Sequence, residues 1–140
     1  MTENYKIIGS FIKDMSSETP DTPTYVFVRD KISKYKLNID INSKVVKNGI
    51  IEVNTIIKFS DQPEILKKAH FEITYTSIVK VDEKVSDKKE MEKIILCDVP
   101  NKIYPDLERI FLNLLTDSGY PGIKFEKKVD FTELYKQRAN

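Results

Sequence analysis

The sequence predicts an α+β protein: a four-stranded antiparallel sheet followed by helices packed on one face. Three observations carry this. Apolar and polar residues alternate in runs as far as Val79, the period of a strand. Asn48-Gly49 lies between two such runs and is a strong hairpin signal. From about Val85 onward the apolar spacing widens toward the ~3.6-residue period of a helix.

The first strand spans residues 5–13, with Tyr5, Ile7, Gly9 and Phe11 on one face and Lys6, Ile8, Ser10 and Ile12 on the other. Residues 16–24 hold Pro20 and Pro23 among serines and threonines, which predicts a loop leading back to Val26-Phe27. Tyr35, Leu37, Ile39 and Ile41 alternate with Lys36, Asn38 and Asp40 in a half-buried second strand. Asn48-Gly49 favours the positive φ values of a type I′ turn, so the third strand (Ile51, Val53, Thr55, Ile57, Phe59) turns back on the second. Ser60-Asp61-Gln62-Pro63 makes the next reversal. Phe71, Ile73, Tyr75, Ser77 and Val79 then mark the fourth strand.

Val85–Lys93 is highly charged and opens a helix or a solvated loop. Met91, Ile94, Ile95 and Leu96 form a short apolar face before Pro100. Pro105 suits a first helical position. Ile103, Tyr104, Leu107, Ile110, Phe111, Leu114 and Leu115 build the main helix, and Gly119 stops it. Thr132–Arg138 forms a last helix, with Asp130 as N-cap and Glu133 completing a capping box. No linker or repeat interrupts the chain, so residues 1–140 read as one domain.

Composition narrows the function. With 23 Lys+Arg against 22 Asp+Glu, a dominant nucleic-acid or anionic-membrane role is disfavoured. Cys97 is the single cysteine, so no intrachain disulfide can form, which fits a reducing compartment. The N-terminus lacks a signal-peptide pattern, and no apolar run approaches the ~18 residues of a spanning helix. A soluble cytoplasmic protein is expected.

Metal and catalytic signatures are weak. Cys97 and His70 alone cannot build a zinc site, and as a catalytic pair they are disfavoured because Cys97 sits in an apolar run. The four glycines form no phosphate loop. Asp14 and Glu18 admit three readings: an acid/base pair, solvated loop charges, or a partner-binding patch that Glu72 joins if strand four lies beside strand one. Lys67-Lys68, Lys88-Lys89 and Lys127-Lys128 are interspersed with acids and read as solvated surface. Both faces of strands one, two and four keep apolar residues, which suggests cover by another subunit or a ligand. Tyr35, Tyr104, Tyr120 and Tyr135 have polar tips suited to a groove or interface.

Several segments, in order, resemble the SecB protein-export chaperones. Lys13-Asp14-Met15-Ser16 through Glu18-Thr19-Pro20 is similar to the end of that family's first strand and its crossover loop. Val26–Asp30 and Lys36–Asp40 resemble its approach to strand two, and Phe71-Glu72-Ile73 the middle of strand four. Cys97–Asn101, Tyr104-Pro105 and the helix to Gly119 resemble its Pro-Asn loop and main helix. Val129-Asp130-Phe131 with Leu134-Tyr135 resembles the start of its last helix.

The resemblance implies a homotetramer, built as a dimer of dimers, that holds unfolded precursor polypeptides without ATP and passes them to SecA. It implies no catalytic site, cofactor or metal, and neither nucleic-acid binding nor membrane insertion. The implied client groove uses Phe27, Tyr35, Leu37, Ile39, Phe131, Leu134 and Tyr135. The implied SecA-docking carboxylates are Asp14, Glu18 and Glu72, with Phe71, Ile73 and Tyr75 near subunit contacts. Family members are usually acidic, with an acidic C-terminal tail; this sequence is near neutral, ends at Asn140, and has Lys31-Ile32 and Thr76-Ser77 where the family has a tryptophan and a glycine pair. A related chaperone serving a toxin–antitoxin pair, or a small α+β enzyme or ligand carrier using Asp14, Glu18 or His70, are the alternatives.

Overall fold

A computed structural model describes residues 4–61, 68–125 and 129–139. β1 (Tyr5–Glu18), β2 (Lys36–Lys47), β3 (Ile50–Ser60) and β4 (His70–Val81) form one antiparallel sheet in the order β1-β4-β3-β2. The last three strands are a meander, and β1 lies beside β4. α1 (Thr22–Lys31) and a 3-10 turn (Ile32–Lys34) connect β1 to β2. α2 (Lys88–Lys93) runs through a π turn (Ile94–Asp98) into α3 (Val99–Asp117), and α4 (Phe131–Ala139) follows. The expected reversal at Gln62-Pro63 lies outside the described residues, as do Lys67, Lys127 and Lys128.

The stretch expected to be a loop at 16–24 is strand and then helix. Ser16, Ser17 and Glu18 still pair with Glu72, Phe71 and His70, because bulges after Ile7 and Ile12 keep β1 in register with β4. α1 then starts on Asp21, whose carboxylate accepts the Thr24 N–H at 2.8 Å. Pro23 sits in the first turn, where its missing N–H leaves no bond unmade. Residues 26–30 are therefore helical, not an extended approach to β2.

Two other local expectations change. Only Gly49 takes a positive φ (77°) in the hairpin, so the turn is not type I′; a bulge at Val46 absorbs the mismatch of twist. α3 starts at Val99 with Pro100 in its first turn, and Pro105 lies inside it. Pro105 is on the exposed side. Ile103, Tyr104, Leu107, Phe111 and Leu115 are buried on the other, so packing outweighs one lost backbone bond.

The helices cover one face of the sheet. Ile57, Phe59, Phe71 and Ile73 meet Leu107, Phe111 and Leu115, with Val28, Tyr120 and Phe131 closing the margins. A smaller cluster joins Tyr5, Ile51, Val53, Val79 and Val81 to Ile94 and Val99. Phe71 and Ile73 are wholly buried in this core and Tyr75 nearly so. They face the protomer's own helices and offer no surface to a second subunit.

The opposite face is bare and mostly polar. Asn54 donates to Asn42 at 2.9 Å and accepts from Thr76 at 2.6 Å, and Lys13 pairs with Glu52 at 3.0 Å. The bond from Asn54, and then Lys13, hold the Glu52 carboxyl below its ordinary pKa. The outward row of β2 (Lys36, Asn38, Asp40, Asn42, Lys44) is polar, so the apolar surplus expected there is absent. Exposed apolar residues instead concentrate on edge strand β1, all 42–55% exposed: Phe11 on this face, Ile12 and Met15 on the helix side beside Tyr75 and Ile73, and Ile8 at a bulge.

Gly119 ends the α3 region at φ 101°, and a Cβ there would lie 2.7 Å from Tyr25 Cε1. Tyr25 in turn donates to the Gly119 carbonyl at 2.8 Å. Gly119→Ala should therefore lower stability by about 1–3 kcal/mol, from strain and the displaced ring. An unchanged urea midpoint would contradict this.

Candidate functional site

β2 is an edge strand, so a row of its backbone N–H and C=O groups points away from β3. A groove of about 1280 Å³ runs there. Ile32, Ser33, Tyr35 and Lys36 through Ile39 form one side, and Phe59 contributes to the lining. Pro121–Phe125, Val129, Asp130, Glu133 and Leu134 form the other. Successive strand residues point to opposite faces, so a groove touching Lys36, Leu37, Asn38 and Ile39 in turn abuts the strand's edge. A smaller hollow of about 200 Å³ continues it, lined by Ile39–Ile41, Leu96, Phe131, Leu134 and Tyr135.

Each wall has a local cause. Tyr35 follows the 3-10 turn, and its hydroxyl accepts the Ala69 N–H at 2.9 Å. Burial raises its pKa above the ordinary tyrosine value. Its ring rests 5.4 Å from Phe59. Phe125 stacks on Phe111 at 6.2 Å and meets Phe59 edge-on at 5.8 Å, which fixes the loop after α3. α4 starts on Asp130, whose carboxylate accepts the Glu133 N–H at 3.1 Å, as the capping box predicts. Phe131 is buried 5.5 Å from Tyr104, leaving Leu134 46% exposed on the groove. Burial, and then the Glu108 charge, push the Tyr104 pKa up to about 12.

Tyr35, Leu37, Ile39, Phe131, Leu134 and Tyr135 thus lie along one continuous depression. Phe27 does not: it sits on α1, 38% exposed, and lines neither part. The sequence reading missed Ile123 and Phe125. Their signal was Gly119 and Gly122 around Pro121, both in the left-handed region, which turn the chain back over the sheet. Tyr104 and Tyr120 belong to the core instead.

The three carboxylates share the bare face. Asp14 lies across from Thr74, Glu18 from His70, and Ser16, between them, from Glu72. Glu72 stands 3.8 Å from Lys58 and 3.5 Å from His70. Asp14 and Glu18 are about 13 Å apart along the strand, beyond the ~5–9.5 Å that lets two carboxylates flank one bond. Neither lines the groove. Cys97 is buried in the helical layer against Thr132 at 3.3 Å, with the sheet between it and His70. Among the described residues no His, Cys, Asp and Glu cluster could hold a metal ion.

The family described as preprotein translocase subunit SecB matches residues 1–140. The chain belongs to the SecB family. It is 96% identical over 140 residues to a protein-export SecB protein of Pelagibacter ubique strain HTCC1062, covering 100% of both. It is 26% identical to the SecB of Rhodospirillum rubrum, over 95% of this chain and 81% of that one. Among solved structures, a SecB-like chaperone of Mycobacterium tuberculosis, in complex with a ChAD peptide from the HigA1 antitoxin, superposes with a TM-score of 0.65. The match covers 89% of this chain and 91% of that one, at 11% identity, so it is a likeness of fold. The α+β architecture is that of a SecB-type chaperone of the protein-export family. No described helix is long and apolar enough to cross a membrane.

Proposed function

We propose that this SecB-type chaperone works in the cytoplasm as an ATP-independent homotetramer that holds non-native precursors and delivers them to SecA. The observation that carries the reading is the apolar groove lying against a free strand edge. An extended client segment can pair its backbone with β2 while its side chains enter the apolar lining, which accepts many sequences. The four exposed apolar residues of β1 support burial against another protomer, and Asp14, Glu18 and Glu72 offer SecA one anionic patch.

Export is favoured over service to an antitoxin. The export family and its relatives match across nearly the whole chain, whereas the antitoxin-binding neighbour shares 11% identity.

The test pairs two variants in one binding assay with a permanently unfolded protein. Leu37→Ser/Leu134→Asp should weaken client binding about 10- to 100-fold, the affinity equivalent of losing roughly 1.5–3 kcal/mol of apolar contact. Asp14→Asn/Glu18→Gln/Glu72→Gln should keep client affinity and lose SecA binding. Client binding indifferent to the first variant, or an ATP requirement, would refute the reading. So would a monomer in light scattering.

A further inference from the structure

We propose that the β2–β3 hairpin end of the sheet docks on an anionic lipid bilayer, a contact additional to the groove and the carboxylate patch. The hairpin tip reads Lys44-Val45-Val46-Lys47-Asn48-Gly49. Val45 is 70% exposed and Val46 55%. Val45 is paired with Ile51 on the helix-covered face, but only the β3 arm is covered there: Ile51 is buried, while Val45 on edge strand β2 stays bare. Val46 is the bulged residue. Two adjacent bare valines between two lysines have no packing role in the protomer.

The cations beside them are aligned by the strand register. Lys47 lies opposite Ile50, Ile50 opposite Lys80, and Lys80 opposite Lys6, so one row across the sheet carries three lysines. With strands about 4.8 Å apart, Lys6 and Lys80 are direct neighbours, an arrangement unfavourable for like charges. The acids at this end include Glu52, Asp82, Glu83 and Glu90, the last reached through Asn4 beside β1. Glu52 is engaged by Lys13 and lies near Lys44, while Asp82 accepts the Lys84 N–H. That leaves Lys6, Lys44, Lys47, Lys80 and Lys84 against Asp82, Glu83 and Glu90, with Glu90 accepting from the Asn4 amide. Asp14, Glu18 and Glu72 occupy the other end of the same face. The net charge of +1 thus conceals a lysine-rich hairpin end.

A bilayer fits this chemistry better than an acidic protein or a nucleic acid. Valines at a protruding tip can enter the acyl boundary while flanking lysines meet headgroup phosphates. A nucleic acid would use the lysines and leave the valines idle.

The test is sedimentation of the full chain with vesicles at low ionic strength. Phosphatidylglycerol-containing vesicles should bind at least about tenfold more protein than phosphatidylcholine vesicles, since each lysine near an anionic surface is worth about fivefold. Lys44→Glu/Lys47→Glu should lose at least about tenfold, and Val45→Ser/Val46→Ser several-fold, with oligomeric state and client binding unchanged. Equal binding to both vesicle types, or variants that bind like the parent, would overturn the proposal. So would a changed oligomeric state in the valine variant, which would make the tip a contact between copies. Polyglutamate competing as well as the vesicles bind would assign the surface to an acidic protein instead.

Discussion

Phe111→Ala should lower the stability of the fold by about 3–5 kcal/mol, measured by urea unfolding. Phe111 is fully buried on α3. Its ring meets Phe59 of β3 edge-on at 6.1 Å and stacks on Phe125 at 6.2 Å. It therefore ties the main helix to the sheet and to the loop that walls the groove. The strands around it are paired on both sides and cannot close over a cavity, which places the expected cost at the upper part of the large-to-small range. Against a total stability of about 5–15 kcal/mol this is a large fraction, so the measurement belongs at low temperature. A loss under about 1 kcal/mol would mean that α3 does not organise the core as described.

The sheet was legible in the sequence because its signals are local. Alternation marked the strands, and Asn48-Gly49 marked the hairpin. α1 was not legible, because Pro20 and Pro23 read as loop breakers. In fact Asp21 caps the helix and Pro23 occupies its first turn, where proline does no harm. Phe27 was assigned to the groove by the family resemblance, as part of a crossover loop. A helix turns Thr24 and Val28 inward and leaves Phe27 on another face. Alternation placed Phe71 and Ile73 on one face of β4, but periodicity cannot say what covers that face, and here it is the protomer's own helices. The groove was half legible. Its strand and α4 walls follow periodic residues, while the Pro121–Phe125 wall follows no period and depends on two left-handed glycines.

In Phe131→Ala, α4 should open while the rest of the domain stays folded. Among the described side chains of this helix only Phe131 is wholly buried, and Leu134 is exposed. Its other attachments include the half-buried Tyr135 ring and polar contacts: Thr132 to Cys97 and Asn101 at 3.3 Å, and the Tyr135 hydroxyl to the Lys89 carbonyl at 3.4 Å. Polar contacts at a surface contribute little net stability, and an isolated helix of about nine residues is marginal in water. Losing the Phe131 contact, worth about 3–5 kcal/mol, should cut amide protection across α4 by at least about 100-fold in hydrogen exchange. Protection in β3 and α3 should change far less, because their packing runs through Phe59 and Phe111. Client affinity should fall with α4, since the groove loses the wall that carries Leu134. If α4 kept its protection, or exchanged only when the whole domain unfolded, the helix would be part of the core rather than a movable wall. Dependence on one aromatic anchor also suits the proposed task. A wall anchored chiefly by one fully buried ring can shift to admit client segments of different bulk, while the proposed pairing edge stays in place.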